Sequence, residues 1–229
     1  SGTENINPFE VITFVGPLKL EPEFDEWQET RTITRVVTRS RPWGRGGIVG
    51  STRTNTAGPV SVELLPTIRS RLVRFKAEAL KPLTRHFLFF DGEAIASYAR
   101  EETLFTPFAR RLQDQYINST ATSHPGGSSN LISDANGEII GSFLVPNNSS
   151  LSFDAGEREV KLLDISANND GLSTSGAFAS YFAQGSRNTI VRTIVRTPPR
   201  PRPRDPLAQS FTVQNTQGAF LTSIDVYFN

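Results

Sequence analysis

The sequence predicts a mainly β protein, and three observations lead there. Leu72–Ala79 alternates, with Val73, Phe75, Ala77 and Ala79 on one face and Arg74, Lys76 and Glu78 on the other. Period two with charge on one side is the mark of a half-buried strand. A little further on, Phe87, Leu88, Phe89 and Phe90 are all apolar, as expected of a short central strand covered on both faces. Finally, 17 Gly and 15 Pro against 37% hydrophobic residues indicate many turns between short elements.

Taken in order, Asn7-Pro8 opens a strand over Phe9–Val15 that Gly16-Pro17 closes. Glu21–Glu29 is acidic and loses regular periodicity around Pro22, with Trp27 as an anchor. Arg31–Arg39 is rich in β-branched residues and reads as a strand, placing Arg31, Ile33, Arg35, Val37 and Arg39 on one side. No carboxylate occurs between Glu29 and Glu63. This stretch has two readings, a solvated edge strand that resists aggregation or a contact surface for an acidic partner subunit. Trp43–Gly47 and Gly50–Gly58 read as loop, and Gly44, Gly46 and Gly47 lack the spacing of a phosphate-binding loop.

Beyond the central strands, Thr106–Tyr116 predicts a short helix. Thr106 suits the N-cap, Pro107 the first helical position, and Phe108, Leu112 and Tyr116 share a face. Asn118–Asn130 reads as a flexible loop. Asp134-Ala135-Asn136-Gly137 predicts a type I′ hairpin turn joining Asn130–Ser133 to Glu138–Val145. Leu151–Phe153 and Val160–Leu163 supply two more strands. Six or so strands with regular turns predict an immunoglobulin-like β-sandwich with a short inserted helix and extended terminal arms.

The last quarter changes character. Ala177–Ala183 fits helix or strand, and Thr189–Arg196 as a strand sets Arg192 and Arg196 on the face of Ile190 and Ile194. Thr197–Pro206 reads as a stiff polyproline spacer, with a ligand for an SH3-type domain as the alternative. Ser210–Val213 and Ala219–Phe228 are two further strands, a pair too small to stand alone. The expected division is therefore 1–60, an N-terminal arm; 61–167, the sandwich; 168–204, strand and Pro-rich linker; and 205–229, the start of a further β module or strands that pair with a partner.

Composition narrows the function. With no Cys there is no thiolate nucleophile, disulfide or Cys-based zinc site. Met is absent even from position 1, so a processed or partial chain is expected. A net charge of +1 argues against nucleic acid as a partner, and no apolar run of about 18 residues supports membrane insertion. His86 lies within a strand and His124 precedes Pro125-Gly126-Gly127, so neither is expected to be a positioned base. The Asp134–Glu138 segment lacks the ligand spacing of a calcium loop. No catalytic residue, cofactor or metal site is expected, and the chain is not expected to be an enzyme. Trp27, Trp43, Tyr98 and Tyr116 are the aromatic candidates for stacking on a host-surface glycan, as in a carbohydrate-binding adhesin module.

Several stretches resemble, in order, a family of tailed-bacteriophage virion proteins associated with tail fibres and baseplates. They are Asn7-Pro8-Phe9 with Gly16–Leu20 and Asp25-Glu26-Trp27; Phe75–Arg85 with Phe89–Gly92; Ser133–Gly137 with Gly141-Ser142-Phe143; Phe153–Arg158 with Lys161–Asp164; Ala179–Gly185; and Asp205–Val213 with Gly218–Phe228. The resemblance implies a structural virion component, assembled in the host cytoplasm, whose partners are other virion proteins and copies of itself. Subunit contacts are expected at Arg31, Ile33, Arg35, Val37, Arg39, Ile190, Arg192, Ile194 and Arg196, with Ile33, Val37, Ile190 and Ile194 buried there.

Overall fold

The computed structural model describes residues 13–39, 50–106 and 116–199, together with Thr212 and Ser223. These residues are mainly β, in strands β1 (Phe14–Glu21), β2 (Phe24–Thr38), β3 (Ser51–Leu64), β4 (Leu72–Ala77), β5 (Arg85–Phe90), β6 (Glu93–Ala94), β7 (Ala99–Glu101), β8 (Leu131–Ile132), β9 (Ile139–Leu144), β10 (Gly156–Leu163) and β11 (Ser175–Thr197). The strands form one mixed sheet in the order β6-β5-β10-β11-β1-β4-β9-β7, with β2 and β3 paired to β11 and β8 paired to β5. Only the β1–β11 ladder in this path is parallel.

β1 does not end at Gly16-Pro17, as expected from the sequence, but changes partner there. Phe14–Pro17 pair with Ser175–Phe178 of β11, and Leu18–Glu21 pair with Arg74–Ala77 of β4. Pro17 has no N–H to give to a ladder, so it suits the point where one ladder is exchanged for another.

The alternation of β4 has the expected result, with Val73, Phe75 and Ala77 fully buried. The strand stops at Ala77, however, and Ala79 turns out to solvent with φ +56° as the chain bends towards Leu80. β5 is interior, flanked by β10 and β6, and buries His86, Leu88, Phe89 and Phe90. Phe90 packs on Phe143 of β9 at 6.0 Å, on Phe153 at 4.7 Å and on Tyr181 of β11 at 5.9 Å, ring centre to ring centre. Side chains of this size contribute roughly 2–3 kcal/mol each when removed from water, so this aromatic cluster is the main apolar tie between elements far apart in sequence.

The core extends beyond the expected 61–167 span. Leu18 and Leu20 of β1 and Ala177, Tyr181 and Ala183 of β11 are integral to it. Ala177–Ala183, open between helix and strand in the sequence, is strand and pairs with β10.

Other expectations need correction. Gly50–Gly58 is not loop; Ser51 onward belongs to β3. Leu151–Phe153 forms no strand, although Phe153 is buried, and Asp154 makes an isolated bridge to Thr67. The 134–137 turn is not type I′, because Ala135 and Asn136 keep negative φ and only Gly137, at +76°, is left-handed. It joins β8 to β9, which pair with different neighbours. The 118–130 segment is tied down, with His124 N–H donating to Ser97 O at 3.0 Å and Ser129 N–H to Ala99 O at 3.2 Å. The helix expected over Thr106–Tyr116 and the strands expected in 205–229 lie almost wholly outside the described residues. Among the described residues, Ala96–Tyr98 forms a 3₁₀ turn and Tyr116 is helical.

By contacts the chain divides into a first unit, Ser1–Ile33 with Thr56–Arg192, and a second, Thr34–Asn55 with Thr193–Asn229. The core described above belongs to the first. In the second, Arg39 N–H donates to Arg196 O at 3.0 Å, and the backbone of Gly50 approaches that of Thr197.

Candidate functional site

β2 leaves the core from a buried ionic anchor. The Asp25 carboxylate has no exposed surface and accepts two 2.7 Å bonds from Arg69, one from Nε and one from Nη2. Arg71 Nη1 donates to the same carboxylate. A fork-to-fork pair fixes direction as well as distance, which a single point charge does not. The Arg69 guanidinium also lies over the Trp27 ring at 4.9 Å, so Trp27 is the anchor its sequence position implies. Trp27 in turn rests on the backbone of Gly185 in β11. A Cβ at Gly185 would stand 2.4 Å from two Trp27 ring carbons, so only glycine permits this approach.

Beyond the anchor the strands are open. In the first unit, Phe182 N–H donates to Glu23 O at 3.2 Å, and Glu29 pairs with Arg187 at 3.1 Å. Both contacts fit one parallel register of β2 on β11. That register sets Arg31 beside Thr189 and Ile33 beside Val191, while Ile190 and Arg192 point to the other face. The two runs of proposed contact residues therefore do not share a face in this unit. Arg31, Arg192 and Ile33 are exposed, Ile33 at 44%, and Ile190 is half-buried. In the second unit Arg35, Arg39 and Arg196 are exposed, and Val37 and Ile194 are half-buried.

The sequence reading missed β3. All fourteen of its residues are exposed. Val60, Val62 and Leu64, on one side of the strand by period two, stand at 62%, 64% and 67% exposure. The signal was the alternation Thr52, Thr54, Thr56, Val60, Val62, Leu64, interrupted by Gly58-Pro59.

The buried polar groups have structural partners. His86 bonds Thr84 O through Nδ1 at 3.0 Å and Ser175 Oγ through Nε2 at 2.9 Å, and burial lowers its pKa. His124, Ser142 and Glu102 form a chain that superficially matches a nucleophilic triad. Its polarity is wrong for that chemistry. Gly126 N–H donates to His124 Nδ1 at 3.0 Å, so the imidazole proton sits on Nε2 and points at Ser142 Oγ, 3.0 Å away. Ser142 then donates to Glu102 at 2.9 Å. The imidazole therefore gives a hydrogen bond to the hydroxyl instead of accepting its proton, the reverse of nucleophile activation. Burial brings the His124 pKa down to about 4.

Among the described residues no group of three or more His, Asp or Glu is placed to hold a metal ion. No helix among them is long and apolar enough to cross a membrane. Three of the four glycan-stacking candidates are engaged within the chain. Trp27 is covered by Arg69, and Tyr98 is buried with its hydroxyl accepting from Asn148 Nδ2 at 2.9 Å. Tyr116 packs against the core, and Trp43 lies outside the described residues. A cleft of about 370 Å³ runs past Arg85, Ser97, Ser129 and Asn130, but the Phe87 ring on its wall is capped by the Arg85 guanidinium at 4.8 Å.

Compared with known proteins, the sequence matches no protein-family model, no curated protein and no solved structure.

Proposed function

We propose that the chain is a structural subunit of a tailed-phage virion, in a tail fibre, baseplate or related appendage, and that it joins its neighbours through β2, β3 and residues 184–197 of β11. The observation that carries this reading is the complete exposure of β3, with Val60, Val62 and Leu64 in water. Among the described residues β2 and β3 each pair with β11 alone, which gives each an outer edge there with unused backbone donors and acceptors. Exposed edges recruit further strands, and strands of this length are marginal without cover. Removing those three side chains from water in a contact would contribute roughly 1.5–3 kcal/mol each. The ordered resemblance of many sequence stretches to fibre- and baseplate-associated proteins supplies the virion context.

The core in this proposal is an immunoglobulin-like β-sandwich. Two four-stranded paths support it, β1-β4-β9-β7 and β6-β5-β10-β11, because these follow the strand orders A-B-E-D and C′-C-F-G of that fold. The Phe90–Phe143 contact lies between the two paths. Electron microscopy of the purified chain at high concentration tests the function. Regular multimeric particles with residues 51–64 at the contacts are the expected image. Isolated single copies at every concentration would contradict it.

A further inference from the structure

We infer that the arginine-rich second unit of one copy docks on the carboxylate-rich first unit of another, so that the partner of this chain is a second copy of itself. The inference rests on the subunit-joining role above and names its partner and its chemistry.

The net charge of +1 conceals a strong separation. The described residues of the second unit hold four arginines and no carboxylate, a net charge of +4. The described residues of the first hold thirteen cationic side chains against eighteen carboxylates, a net charge of −5. Arg35, Arg39, Arg53 and Arg196 are all exposed, and the described residues of the second unit include no carboxylate to pair with them. In the first unit Glu23, Glu26, Glu93, Glu101 and Glu157 are exposed and enter no ion pair among the described residues.

Like charges gathered in one unit repel, and a contact that brings +4 against −5 relieves both units together. A polyanion such as nucleic acid would satisfy the second unit but would meet repulsion from the first. A second copy supplies both signs in matched amount. Because the two surfaces differ, the contact is head-to-tail, which closes into a ring or continues as a filament.

The test is sedimentation velocity of the full chain over a concentration series at about 0.05 M and about 0.5 M salt. The expected result is self-association that weakens by roughly tenfold or more at the higher salt, where the screening length falls to a few ångströms. The variant R35Q/R39Q/R53Q/R196Q changes only exposed side chains. It should keep the wild-type circular dichroism, fail to associate with itself, and still bind wild-type copies through its intact first unit. Association unaffected by salt and by the four substitutions would overturn the inference while leaving the subunit-joining role in place. Absence of association at every concentration would overturn both. Displacement of the second copy by a short DNA duplex at low salt would overturn the inference in favour of a polyanion.

Discussion

Asp25 and Arg69 meet through two 2.7 Å hydrogen bonds, with the carboxylate wholly buried and the guanidinium only slightly exposed. Arg71 shares the same carboxylate, so one anion satisfies two cations at the point where β2 leaves the core. Asp25→Ala leaves both guanidiniums without that anion. The expected cost is about 3 kcal/mol, read as a lower denaturant midpoint, since a broken buried pair costs far more than an intact one contributes. Asp25→Asn keeps an acceptor and should cost less.

The Trp27–Gly185 approach gives a second prediction. A methyl group at 185 would stand 2.4 Å from the indole and 2.8 Å from Leu65 Cδ1, too close for either to remain in place. Gly185→Ala should therefore cost roughly 1–3 kcal/mol in thermal unfolding. In a Trp27→Leu background the same change should cost measurably less, a non-additivity that reports direct contact.

His124 predicts a pH dependence. Its folded pKa, about 4, is depressed from 6.5, chiefly by burial, with Arg100 also disfavouring the charged form and Glu102 opposing the shift. The unfolded chain thus binds more protons between these values, so the stabilisation is complete above pH 6.5 and is lost as pH falls towards 4. Asp134 and Asp164 have pKa values lowered below 3.8 and titrate beneath this window. Denaturant midpoints at pH 7 and pH 4.5 should separate strongly for the wild type and less for His124→Gln.

Val62 tests the open strand. The side chain is 64% exposed, so Val62→Asp should change folding stability by less than about 0.5 kcal/mol. The same charge placed in a contact between copies should weaken association by roughly tenfold or more, because it would be desolvated without a partner. Unfolding curves at low concentration and sedimentation at high concentration measure the two effects separately.

What the sequence disclosed follows from where local pattern and burial coincide. Val73, Phe75 and Ala77 alternate with charged residues because β4 has one covered face, and Leu88–Phe90 are continuous because β5 is interior. β3 was illegible because its residues are in water. Its Ser, Thr and Asn content and Gly58-Pro59 resemble a loop when no core face demands apolar residues. Gly16-Pro17 misled for another reason, since a missing N–H ends a strand only if the chain has no second ladder to join. The His124–Ser142–Glu102 chain spans residues brought together only by folding. The charge separation was hidden because the sum over the chain is nearly zero.

The central claim is that the core folds within one copy, while β3 is covered only by another. Amide hydrogen exchange at low and high protein concentration tests it most directly. The account predicts that β4, β9 and β10 stay protected at both, and that residues 51–64 gain protection only at the higher concentration. Equal protection of 51–64 at both concentrations would contradict it.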